Sequence, residues 1–462
     1  MIRNIIIAVV ALGLLGAAYY FAVKWQPKDK NSESGNESIE LFSAEEKDIS
    51  EILLRNNGAE YTLKKTGDGD DAVWSIPERE GIEFSQSKLK NEVSTLISLT
   101  ATKEVTDDLS DTAAYGLADE SKAVTIRKTD GTETTFVLGD KVVVDANYYI
   151  MEKGGGKIYT ISEYKAEAML KQPNDFRETN LGTIDTSTIS EFSASRGGEK
   201  IVAFRTLGEG ESGDAAYRSS EIQMTYPYDE PVKIDTFNQL VSTFSGVEVI
   251  SFVSDDTGDA AKYGLDSGYK IFIRDGNGTH TLTFGNTDES GNVYAMYNDY
   301  GFIFTMAPDM LNAAEGIKPF DLIDKFAHIY DITKVNSVVV SYGGKTHTMT
   351  ITRTGSGDSE KSEYSVDGKS ANEDAFKQAY QEIIGLSVTG VVPSEKQGAL
   401  VCEVTFNMAD GKAYKASYYE YDERNVRVVR PDGKSYLMLK KYVSEMSDKL
   451  DKFAQDPSKK SE

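Results

Sequence analysis

The sequence predicts an α+β chain: one N-terminal transmembrane helix, then about three tandem mixed modules of antiparallel sheet with packed helices. Three observations carry this. An uncharged apolar stretch runs from Ile5 to Val23. A set of short motifs returns about 148 residues after its first appearance. Within each copy, alternating apolar and polar runs joined by Asp-Gly turns flank helical segments that carry one apolar stripe.

A helix over Ile5–Val23 reaches roughly 28 Å, close to the thickness of a bilayer core, and satisfies its own backbone groups there. Tyr19, Tyr20 and Trp25 gather at one end, where amphipathic rings favour the interface. A cleaved signal peptide is the competing reading, but Ala17-Ala18 is followed by Tyr19-Tyr20-Phe21 rather than by a polar start. Lys24, Lys28 and Lys30 outnumber Arg3, which by charge alone places the C-terminal side in the cytoplasm. The short tail before the apolar stretch has the layout of an export signal and favours the opposite: N-terminus in the cytoplasm, bulk of the chain extracytoplasmic. The membrane is thus one expected partner, through Ile5 to Val23.

Of the 462 residues, 50 are basic and 74 acidic, for a net charge of −24. That balance excludes nucleic acid and anionic lipid surfaces as partners, since both require basic patches. An apolar content of 39 % suffices for real cores. The single cysteine, Cys402, forbids an intramolecular disulfide. Its run, Ala399-Leu400-Val401-Cys402-Glu403-Val404, reads as a strand with the thiol in the core.

The repeat organises the rest. Tyr115-Gly116-Leu117 returns as Tyr263-Gly264-Leu265. Leu138-Gly139 returns as Phe284-Gly285, and the aromatic strand around Tyr149 as the one around Tyr294. Val404-Thr405-Phe406 and Asp432-Gly433-Lys434 mark a third, diverged copy without the Tyr-Gly-Leu element. The expected layout is an anchor at 1–25, a polar stalk at 26–45, modules at 46–180, 181–332 and 333–456, and a tail at 457–462. Each module opens with strands, as at Leu53-Leu54-Arg55 and Glu60-Tyr61-Thr62-Leu63. A helix follows at Lys88–Ile97, with counterparts at Asp235–Phe244 and Glu373–Ile384. Hairpins then turn at Asp130-Gly131, Asp275-Gly276 and Asp410-Gly411, and a helix such as Ser162–Leu170 closes the module.

Motifs that carry chemistry are weak here. Gly344-Lys345-Thr346, Gly368-Lys369-Ser370 and Gly433-Lys434-Ser435 lack the upstream glycine of a phosphate loop and read as turns. His280, His328 and His347 have no metal-ligand spacing and no nucleophile beside them. Asp68-Gly69-Asp70-Asp71 and Asp107-Asp108 lack the calcium-loop pattern and read as solvated turns. Tyr226-Pro227-Tyr228 and Tyr418-Tyr419-Glu420-Tyr421 offer either a stacking surface or ordinary sheet-face aromatics. Tyr115, Gly116, Leu117, Gly139 and Tyr149, with Tyr263, Gly264, Leu265, Gly285 and Tyr294, read as a repeated structural signature. No catalytic, cofactor-binding or metal-binding residue is nominated.

The order of elements resembles the bacterial family called domain of unknown function 4340: an anchor, a Tyr-Gly-Leu loop, a strand, an Asp-Gly turn, a strand ending in Leu-Gly, an aromatic strand and a closing helix. The resemblance covers modules one and two well and module three loosely. It implies a single-span extracytoplasmic protein, of a kind encoded in some cases beside ABC-type export systems similar to gliding-motility components. The expected function is a non-catalytic, membrane-anchored interaction module, accessory to an ABC-type transporter or envelope complex, with a protein partner and no cofactor. Two alternatives stay open: a cell-wall or carbohydrate-binding surface protein, and an envelope hydrolase with convergent carboxylates or a Ser/His pair.

Overall fold

The structure is a computed structural model that describes residues 38–67, 69–106, 111–208, 211, 220–355, 361–394, 396 and 398–458. The expected anchor Ile5–Val23, most of the stalk, residues 459–462 and the acidic positions Asp68, Asp107 and Asp108 lie outside the described residues. Among the described residues no helix is long and apolar enough to cross a membrane. The expected stalk ends early. Ile39–Ser43 is a strand paired with Ser98–Ala101, because Leu41 and Phe42 find apolar partners, Phe42 packing edge-on against Phe136 at 6.3 Å.

The described residues form two compact units, divided between Glu178 and Thr179. The first holds one eight-stranded antiparallel sheet. Its first three strands, Ile49–Asn56, Ala59–Thr66 and Val73–Ser75, step outward in one direction. Lys122–Lys128, Glu133–Lys141, Tyr148–Glu152 and Ile158–Ile161 step outward in the other, and Lys103–Thr106 closes the far edge. The two runs meet where Ile49–Asn56 pairs with Lys122–Lys128. Alternation sends Ile52 and Leu54 into the core and Glu51 and Arg55 outward, the period-2 pattern of a sheet with one covered face.

Two helices, Gln86–Leu96 and Glu163–Leu170, cover that face. Ser85 caps the first by accepting the Lys88 N–H, and Leu89, Val93 and Leu96 form its buried stripe. The observed helix starts at Gln86 and the expected one at Lys88, since the cap, Ser85, lies four residues before the first apolar position, Leu89.

The second unit holds two nine-stranded sheets with the same strand order as the first, each extended by one short edge strand. Their central pairs are Glu191–Arg196 with Tyr269–Asp275 and Val335–Tyr342 with Leu400–Met408. Helices Ile234–Ser242 and Glu373–Ile384 repeat the place and stripe of Gln86–Leu96, with Phe237 and Val241 in one, continued by Phe244 just past its end, and Phe376, Tyr380 and Ile383 in the other. One core runs without a break from Ile184 to Ala454, through Ile323, Ala327 and Tyr330. The boundary expected at 332/333 therefore separates two sheets and not two compact units.

Gly131 and Gly411 adopt positive φ (89° and 86°), as their turns require. At the middle hairpin the positive φ falls on Gly278 rather than Gly276. There the Asp275 carboxylate accepts the N–H groups of Asn277 and Gly278, so the side chain shapes the turn.

Glu92 departs from the pattern. It sits on the buried face of its helix, where the equivalent positions hold Leu240 and Ala379. It is 5 % exposed, its Oε1 has no hydrogen-bond partner, and Lys171 Nζ comes only to 3.8 Å of Oε2. Burial pushes its carboxyl up to about 7, Lys171 opposes that shift, and the charge of Asp175 adds to it. The unfolded chain releases this proton near 4.5, so stability falls as pH rises from there toward 7. Glu92→Gln is expected to match the wild type in urea unfolding at pH 4 and to exceed it by about 2–3 kcal/mol at pH 8. Superimposable pH profiles would contradict this.

Candidate functional site

Two arrangements compete for the site: the repeated signature, and a cleft between the second and third sheets. In the signature, a short 3₁₀ turn, Thr112–Tyr115, ends on Gly116 at φ 70°, and Ala260–Tyr263 ends on Gly264 at φ 74°. A left-handed φ is what a helix end of this kind needs. The next residues, Leu117 and Leu265, are buried. Gly139 lies directly beneath: a Cβ there would stand 2.1 Å from the Tyr115 carbonyl oxygen, and one on Gly285 would stand 2.1 Å from that of Tyr263. Each sheet thus presents bare backbone where the loop lands. Tyr115 packs on Tyr149 and Tyr263 on Tyr294, with ring centroids 4.8 Å apart in both pairs. The ten residues form two copies of a packing lock in which each glycine has a steric reason.

The cleft is built differently. Glu230, on the short edge strand Glu230–Pro231, is 1 % exposed. Arg430, in the turn after Asn425–Val429, places Nη2 at 2.8 and 3.1 Å from its two oxygens. Tyr436 OH donates to Oε1 at 2.7 Å, and Lys434 Nζ lies 3.3 Å away while also donating to the Asp229 carbonyl. Asp432 holds the same guanidinium nitrogen at 2.7 Å. Burial works against the Asp432 charge, but the hydrogen bond and charge of Arg430, with the N–H and charge of Lys434, together outweigh it, so this carboxyl lies below its usual range. Burial and the Glu230 carboxylate both raise the Tyr436 phenol, which stays protonated as a donor.

Beside this latch opens a cleft of about 290 Å³. Its floor and walls come from the connecting segment 324–330, with Phe326, His328 and Tyr330, and from Tyr414 of the third sheet. His328 Nε2 donates to the Ile383 carbonyl at 2.9 Å, and Nδ1 faces the Tyr418 hydroxyl at 3.3 Å. Burial, aided by the charge of Arg430, pushes its imidazole down to about 4, so the ring is neutral. Both ring nitrogens are engaged and the ionisable groups of the latch bind one another. The cleft can hold a ligand against a rigid charged wall.

The family described as Domain of unknown function (DUF4340) matches residues 74–268 and again residues 223–401, together more than two thirds of the chain. The chain belongs to this family. The two matches begin at equivalent places, on the third strand of the first sheet and on that of the second, one repeat apart. The second match ends at Val401 and so takes in the opening strands of the third sheet. No curated protein matches the chain, and no solved structure does.

The remaining candidates resolve into structure. Cys402 is fully buried, with its thiol pushed up to about 12 by burial. His280 bridges Tyr297 OH at 2.6 Å and Asp275 at 3.1 Å inside the second sheet. His347 sits between Asp367 (2.7 Å) and Asp451 (2.9 Å) and ties the strand Lys345–Thr354 to the helix Lys440–Gln455. Burial opposes its charge, yet the two carboxylates prevail and hold its pKa above the usual value. The three Gly-Lys motifs are hairpin turns, with Gly344, Gly368 and Gly433 at positive φ. Tyr418 points into the core and Tyr419 to the opposite face beneath Arg427, so that run is no single stacking surface. Among the described residues no group of three or more His, Cys, Asp or Glu could hold a metal. The latch escaped sequence reasoning because Glu230, on a short edge strand, and Arg430, in a hairpin turn, stand 200 positions apart.

Gly139→Ala and Gly285→Ala are each expected to cost about 2–4 kcal/mol in chemical denaturation, since backbone must move to admit the methyl group. Gly156→Ala, with open space at its Cβ, serves as the neutral control. Glu230→Ala is expected to destabilise the second unit by about 3–5 kcal/mol, as for any buried pair that loses one partner. A loss below about 1 kcal/mol would contradict the latch.

Proposed function

We propose that this chain is a membrane-anchored, extracytoplasmic interaction module without chemistry of its own, accessory to an ABC-type transporter or envelope complex. In this reading Ile5 to Val23 crosses the membrane with the N-terminus in the cytoplasm, and three like modules stand outside, the third a diverged copy. The apolar segment and the family resemblance support the placement. The observation that carries the interaction role is the cleft beside Glu230. Its wall is fixed by charges already satisfied among themselves, which suits recognition.

A second reading is binding of cell-wall carbohydrate. It draws on a broad polar groove of about 770 Å³ on the outer face of the second sheet, lined by Thr281, Thr283, Asn298 and Tyr300. Retention on insoluble peptidoglycan separates the two readings.

Crosslinking in intact cells, followed by mass spectrometry, tests the first. Recovery of one or more envelope membrane proteins is the expected result. Recovery of the chain alone would refute the accessory role.

A further inference from the structure

The cleft beside Glu230 has a chemistry of its own. Its lining carries three carboxylates, Glu230, Asp324 and Asp432, against one guanidinium, Arg430, with the Lys434 ammonium just behind at 3.3 Å from Glu230 and 3.8 Å from Asp432. Glu230 and Asp432 are committed to Arg430. Asp324 is not: its Oδ1 accepts only the Phe326 N–H, at 3.1 Å, and no ion pair reaches it among the described residues. Its neighbour Lys325 turns instead to Asp321 at 2.8 Å and lies over the Phe320 ring.

Apolar surface adjoins this carboxylate. Phe326 is 37 % exposed, uncommon for a phenylalanine in this chain. Tyr414, half-buried, lies beside Tyr330 with centroids 5.4 Å apart and planes 31° from parallel, and Tyr330 is itself buried against Phe406 at 4.6 Å. An anion entering here would meet an excess of negative charge. A neutral ligand would leave the Asp324 charge desolvated and unpaired. A cation on an apolar stem satisfies both features, its charge on the carboxylate and its stem and face on the rings. The volume, about 290 Å³, holds one long side chain and is at the lower bound for whole small ligands. A planar guanidinium stacks on aromatic rings and bonds a carboxylate at once, which an ammonium does less well.

We propose that this cleft receives an arginine side chain from a protein partner, with Asp324 as its counter-ion and Phe326 and Tyr414, the latter backed by Tyr330, as its aromatic walls. The proposal rests on the interaction reading above and names the chemistry by which the partner is held.

The test uses the full chain in detergent micelles. A capped Gly-Arg-Gly tripeptide bearing a benzophenone is photolysed with it, and labelled positions are mapped by mass spectrometry. The tripeptide with citrulline in place of arginine is the uncharged control. Labelling by the arginine probe is expected within 324–331 and 430–432, and about five-fold less in Asp324→Asn. Asparagine keeps the bond to the Phe326 N–H, so the loop retains its turn. Phe326→Ala removes an aromatic wall and carries the test if the first variant does not fold. Equal labelling by the citrulline probe, or labelling unchanged in both variants, would overturn the proposal. In cells, partner capture that persists undiminished in Asp324→Asn also overturns it while the interaction reading stands. Absence of capture by the wild type would bring down both.

Discussion

The buried carboxylate of Glu230 is the constraint on which the second unit depends. It is almost wholly removed from water, and its charge is met by a guanidinium and a phenol from the third sheet. A charge so placed tolerates little displacement, because any separation leaves both partners desolvated and unpaired. The latch therefore fixes the edge of the second sheet against the last hairpin of the third. The continuous core beneath, through Ile323, Ala327 and Tyr330, supplies the apolar part of the same junction. The cleft inherits its rigidity from both.

A different device holds each of the first two modules together. The loop ending in Leu117 or Leu265 lands on bare backbone at Gly139 or Gly285, and two tyrosines close over it. In the third sheet the register places Tyr419 where those glycines stand. With no Tyr-Gly-Leu loop to admit, that position can carry a side chain. Loop and glycine form one steric unit, so the loss of one removes the reason for the other. The third sheet thus keeps the strand order without the signature.

Much of the fold was legible because its causes are local. The stripe of Leu89, Val93 and Leu96, the alternation around Ile52 and Leu54, and the Gly131 and Gly411 turns all follow from neighbours in sequence. The repeat added what periodicity alone lacks, a reason to expect the same sheet more than once. What escaped has non-local causes. Ile39–Ser43 looked like stalk because its partner strand lies some sixty residues on. Glu230 looked like any loop glutamate, and Arg430 and Tyr436 like hairpin residues, until the chain brought them together. Asp275 took over the shaping of a turn that glycine alone was expected to provide.

The central claim is that Glu230 and the last hairpin of the third sheet act as one energetic unit. A double-mutant cycle between Glu230→Gln and Tyr436→Phe, read by urea unfolding of the full chain, tests it most directly. The account requires a coupling of about 1 kcal/mol or more, as for groups sharing one buried network. Effects that simply add, to within about 0.3 kcal/mol, would show that the two residues stabilise the fold independently and would contradict it.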